Sequence, residues 1–80
     1  MMSTYEKRIR VYKGQEQFER VLSYQIPSVG DRIRHLNGNL AEVKEVCYSA
    51  DGEPFVIADF AGHFGVTVAI DQFKVVRTIN

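Results

Sequence analysis

Apolar and polar residues alternate along most of this chain. From Tyr5 to Lys13, Tyr5, Lys7, Ile9 and Val11 fall on one side, and Glu6, Arg8, Arg10 and Tyr12 on the other. A period of two predicts a β-strand. Gly14-Gln15 suits a two-residue type II′ turn, which favours glycine at its first position. That turn sets Val11 opposite Phe18, Ile9 opposite Arg20, Lys7 opposite Leu22 and Tyr5 opposite Tyr24, with Arg10 meeting Glu19 on the reverse face. The segment Glu16 to Tyr24 also admits a helix, because Phe18, Val21 and Leu22 form a stripe among good helix formers. The strand reading is preferred, because its faces match those of its neighbour apart from Arg20 and Lys7.

The stretch Ile26 to Val46 organises the remainder. Pro27 bars a helix through Ile26, and Gly30-Asp31 supplies a turn. A three-residue loop Asn37-Gly38-Asn39, with Asn39 left-handed, places Ile33 opposite Val43 and His35 opposite Ala41. Arg34 then faces Glu42, and Leu36 faces Leu40. A two-residue Asn37-Gly38 turn would set Ile33 beside Glu42 and Arg32 beside Val43, which mixes the faces. A bulge near Lys44-Glu45 returns Val46 to the apolar side. Further on, Asp51-Gly52 and Pro54 mark a surface turn. Phe55 to Phe60 is nearly continuous apolar, as in a strand covered on both sides. Ala61 to Gly65 is a glycine-bounded connection, Val66 to Ile70 a strand, Asp71-Gln72-Phe73 a short helical turn, and Lys74 to Ile79 a closing strand. The prediction is one all-β domain over residues 1–80, a small barrel of five to seven short antiparallel strands (28–79) preceded by a hairpin (5–26).

These strands and turns resemble the SH3-like small barrels, in their Tudor-type variant, over about residues 28–77. The resemblance rests on Val29-Gly30-Asp31-Arg32-Ile33, Glu42-Val43-Lys44-Glu45-Val46, the Asp51-Gly52 turn, and Phe55 through Gly62. Val66-Thr67-Val68 and Asp71 through Val76 complete it. The likeness is one of fold, which by itself does not give function. In Tudor-type domains that hold methylated side chains, an aromatic cage does the binding. Its positions here would be Tyr48, Phe55, Phe60 and Asp59, while the first strand offers Arg32, Arg34 and His35 in place of a further ring.

Composition narrows the function. Ten Lys/Arg balance ten Asp/Glu. Residues 1–40 carry seven basic against four acidic side chains, and residues 41–80 three against six, so a basic patch is permitted. A single cysteine, Cys47, excludes an internal disulfide and fits a reducing compartment; beside Val46 it reads as a small core residue. Nothing from Met1 to Lys7 resembles a secretory leader, and no apolar run reaches membrane-spanning length, so the expected location is cytoplasmic and no membrane partner is expected.

His35, His63, Cys47 and Asp59 lack the spacing of metal ligands, and no metal or other cofactor is expected. His35 is expected at the rim and His63 on an exposed loop. Ser49 or Cys47 with His63 and Asp59 would need a shaped pocket, which a barrel filled by side chains seldom has; no catalytic role and no small-molecule substrate is predicted. The expected function is a non-enzymatic binding module mediating protein–protein interaction or self-association. A dimer paired through the N-terminal hairpin is its simplest form. Candidate protein-binding residues are Phe64, His63, Tyr48 and Phe60, with Phe64 set between glycines and either tucked in or presented. The alternative is nucleic-acid binding, with Arg8, Arg10, Tyr12, Arg32 and Arg34 as a phosphate-and-stacking surface should the two strand faces adjoin.

Overall fold

The computed structural model describes residues 3–76. It is all-β, with seven strands in two antiparallel sheets. β1 (Ser3–Lys13) and β2 (Glu16–Ile26) form a two-stranded ribbon. β3 (Arg32–His35), β4 (Leu40–Tyr48), β5 (Pro54–Phe60), β6 (His63–Ala69) and β7 (Phe73–Val76) form the second sheet, ordered β6-β5-β4-β3-β7. A 3-10 turn, Ile70–Gln72, carries the chain from β6 to β7. The predicted closing strand is present as far as Val76; residues 77–79 lie outside the described range.

The ribbon has the register expected from its alternation. Val11 pairs with Phe18, Ile9 with Arg20, Lys7 with Leu22, Tyr5 with Tyr24 and Arg10 with Glu19. Residues 16–24 are therefore strand, not helix. Cross-strand pairing with β1 and the partial burial of Leu22 and Tyr24 on one side outweigh the local helix propensity. The nearest carboxylate–guanidinium contact, however, runs diagonally from Arg8 to Glu19 at 3.8 Å.

The β3–β4 connection departs from expectation. Ile33 pairs with Ala41, Arg32 with Glu42 and Arg34 with Leu40, and the His35 N–H donates to the Asn39 carbonyl (2.8 Å), so the register lies two residues from the expected one and the turn falls on Leu36-Asn37-Gly38. Asn39 is not left-handed; Gly38 takes the positive φ, at 93°. Local bonds hold this turn. The Asn37 N–H donates to His35 Nδ1 (3.1 Å), the Asn39 N–H to Asn37 Oδ1 (2.9 Å), and the Gly38 N–H to the His35 carbonyl (2.8 Å). Arg34 and Glu42 are consequently not opposite each other, and Leu36 donates its N–H to the Gln72 carbonyl instead of facing Leu40. The slip is two residues, so every side chain keeps its predicted face. The bulge falls where expected, with Lys44 unpaired between Val43 and Glu45.

Ile33, Ala41, Val43, Val56, Ala58, Val68, Ile70 and Phe73 make the core. Tyr5, Tyr24 and Ile26 from the ribbon base pack against it, so ribbon and sheet share one interior. β5 is covered only in part on its second side, where Phe55 and Ile57 are half-buried. Cys47 is likewise half-buried, opposite Phe55 and on the reverse side from Val46, rather than in the core. The expected barrel closure is absent from the ladder: β6 and β7 are its two ends, and the 3-10 turn spans the gap with Ile70 buried beneath it. The radius of gyration is 14.6 Å and the longest dimension 47 Å. A compact chain of this length would have a radius of about 12 Å. The excess is the distal ribbon, which projects as an arm.

Candidate functional site

Three surfaces carry the candidate residues. The first is the arm. Its odd-numbered β1 and even-numbered β2 positions share one face, holding Tyr5, Ile9, Val11, Phe18, Leu22 and Tyr24 together with Lys7, Lys13, Glu16 and Arg20. Tyr5 and Tyr24 meet the core at the base; towards the tip Ile9, Val11 and Leu22 are only half-buried and Phe18 is 45% exposed. One ion pair fixes the base. Ser49 Oγ accepts the Glu53 N–H at 3.1 Å, and the Ser49 N–H donates to the Glu53 carbonyl at 2.9 Å, which tightens the β4–β5 loop. Glu53 then receives Lys7 Nζ at 3.3 Å. That hydrogen bond and the carboxylate charge raise the Lys7 pKa above the ordinary lysine value. The two partners are 46 positions apart, and no sequence pattern announces them.

The second surface is a groove of ≈ 760 Å³ between the β3–β4 loop and the β5–β6 turn. It is lined by His35, Asn37, Asn39, Leu40, Phe60, His63 and Val66 among others. His35 stands edge-on to Phe60 with centroids 6.2 Å apart and closes the rim of the core, as expected of it. Phe60 and His63 therefore meet here. His63 is exposed but opens β6 opposite Phe60 instead of lying in a loop, because the turn is only Ala61-Gly62. Phe64 does not line the groove. It sits in a bulge at the start of β6 and is 78% exposed, which resolves it as presented rather than tucked in. Gly65 completes the bulge at φ 67°, with its N–H donating to Asp59 Oδ1 at 2.9 Å. Tyr48 is exposed at the opposite end of β4, paired with Pro54.

That placement also breaks the implied cage. Tyr48 and Phe55 lie at one end of the β4–β5 pair and Asp59 and Phe60 at the other. Five residues of strand separate Phe55 from Phe60, about 16 Å. The four side chains do not surround a point. The same separation keeps Cys47 and Ser49 from Asp59 and His63. Burial and the Glu45 charge push the Cys47 thiol up from its ordinary pKa. Among the described residues no group of three or more His, Cys, Asp or Glu is placed to hold a metal ion, and no helix is long and apolar enough to cross a membrane.

The third surface is basic. Arg32 and Arg34 point away from buried Ile33 on the outside of β3, and Lys74 of β7 lies opposite Arg34. Lys74 is an addition that only the register reveals. Glu42 lies opposite Arg32 and forms an ion pair with Lys44, whose pKa it raises. Arg8, Arg10 and Tyr12 project from the arm face turned away from the core, with Tyr12 68% exposed. The two groups thus point outward from opposite partners of a shared interior, and the expected single surface of four guanidinia and a ring is not assembled. Comparison with known protein families, curated proteins and solved structures finds no match to this chain.

Proposed function

We propose that this chain is a non-enzymatic binding module of SH3-like build that acts through protein–protein contact, and that its first partner is a second copy of itself. The SH3-like reading is supported by the four-stranded meander β3 to β6, whose first strand β3 also pairs with the last strand, β7, and by the 3-10 turn before β7. The binding reading is carried by one observation: the apolar residues of the arm outrun the core that should cover them, leaving Phe18 exposed and Ile9, Val11 and Leu22 half-buried. Two-stranded ribbons are marginal in water, so an arm of this length is stabilised by contact with another surface. Sedimentation velocity over a dilution series tests this. The expected result is a concentration-dependent dimer that weakens in Phe18→Ser. A monomer at the highest attainable concentration refutes self-association.

A second reading is nucleic-acid binding on the outside of β3 and β7. The register that brings Lys74 opposite Arg34 favours it. Retention of oligonucleotides that falls steeply with salt, and falls further in Arg34→Ala, is the expected behaviour. No retention at low salt removes this reading.

A further inference from the structure

We infer that two copies of this chain join edge to edge along β2, antiparallel, with Phe18 on the two-fold axis and Glu16 of each copy opposite Arg20 of the other. The inference rests on the self-association just proposed and specifies its geometry.

The β2 edge is open for this purpose. Only β1 pairs with β2 among the described residues, and Glu16 to Val21 are all exposed. Towards its end the strand is occupied, since Tyr24 and Ile26 pack on the core. A two-residue turn makes Lys13–Glu16 a hydrogen-bonded pair. By the alternation of an antiparallel ladder, Phe18 and Arg20 also bond inward to β1. Gln17, Glu19 and Val21 are left with N–H and C=O directed outward. β2 has neither proline, lysine nor bulge to blunt this edge, whereas the outer edge of β1 carries Lys7, Arg8, Arg10 and Lys13.

Symmetry then selects the register. A two-fold axis perpendicular to the ribbon keeps each face on its own side, so only positions of like parity can oppose each other. Centring on Glu19 or Arg20 sets a charge against its own copy. Centring on Gln17 puts Phe18 against a carboxylate. Centring on Val21 puts Arg20 against Leu22 and draws in the occupied end of the strand. Centring on Phe18 gives an aromatic pair at a non-hydrogen-bonded site, with Cα atoms about 4.5 Å apart. It also gives two Glu16–Arg20 pairs on the same face, and Gln17 opposite Glu19 to take up the outward backbone groups. The product is a four-stranded ribbon in which the Phe18 pair, bounded by the two Glu16–Arg20 pairs, lies between the apolar residues Ile9, Val11 and Leu22 of the two copies. Tyr24 lies six residues from the axis, about 20 Å along the strand. The two core sheets therefore sit at opposite ends without collision.

The test uses Glu16→Arg and Arg20→Glu in the full chain, with circular dichroism to verify that each exposed-site variant is folded. Either variant alone sets two like-charge pairs across the axis, and its dimer weakens by about tenfold in Kd. Mixed together, the two carry opposite charges at both positions and form a heterodimer as tight as the native dimer, read by native mass spectrometry and sedimentation. A dimer indifferent to both reversals, or a mixture that does not recover, overturns this register while self-association stands. A native chain that stays monomeric overturns both.

Discussion

Ile33→Ala measures whether the core is built as described. Ile33 is 0% exposed at the centre of β3, between Ala41 of β4 and Val75 of β7, among Val43, Ile70 and Phe73. The substitution removes three buried carbons, about 2.4 kcal/mol at about 0.8 kcal/mol each. β3 is held by a ladder on both sides and cannot collapse into the space, so the residual cavity brings the loss to about 3–4 kcal/mol. Eighty residues at marginal stability amount to roughly 4–12 kcal/mol in all. The variant should therefore melt some 12–30 °C lower, at about 4–8 °C per kcal/mol for a domain of this size. Urea and thermal unfolding followed by circular dichroism give both numbers, with exposed Leu36→Ala as a control expected to shift by under about 0.5 kcal/mol. A loss below about 1 kcal/mol for Ile33→Ala would mean that position 33 does not point inward. The β3–β4 register would fall with it.

Gly65→Ala forces a side chain into a left-handed bulge (φ 67°) and should cost about 1–2 kcal/mol in urea unfolding; a neutral result would remove the bulge. The Lys7–Glu53 pair holds Lys7 above its ordinary pKa. Its stabilisation is thus fully present below the unfolded lysine value and is lost as pH rises through the raised folded one. The stability gap between the native chain and Glu53→Gln should persist through neutral and mildly alkaline pH and close only beyond the ordinary lysine range; a gap that closes near neutrality contradicts the pairing. Cys47, with its thiol pKa raised, should alkylate more slowly at pH 7 than in urea-unfolded chain, and equal rates would show that burial does not protect it.

Much of the fold was legible because alternation is a local signal. The β1–β2 register follows from the Gly14-Gln15 turn and the side on which Val11, Phe18, Tyr5 and Tyr24 fall, and the structure reproduces it pair by pair. The Lys44 bulge was legible for the same reason, since Val46 could not otherwise rejoin Val43. The β3–β4 register was not. A two-residue slip leaves every face unchanged, so alternation is blind to it, and the local His35 and Asn37 side-chain bonds that accompany it leave no mark in the apolar–polar pattern.

The candidate surfaces divide in the same way. Residue types were readable, and Arg34 is exposed as its charge demands, whereas the exposure of apolar Phe64 was left open by the sequence. Assembly was not. Whether Tyr48 could reach Phe60, whether Arg8 could join Arg32, and which carboxylate Lys7 would find all depend on distances between strands far apart in the chain. By itself, the order of apolar and polar residues determined that this protein is β-structured, where it turns and which side of each strand is greasy, because a strand's two faces follow from a period of two. Only the tertiary structure decided that the sheet ladder stays open, that the groove gathers Phe60 with both histidines, and that half the arm goes uncovered. Those outcomes depend on how much apolar area the rest of the chain brings to each face, a sum over contacts that no single stretch contains.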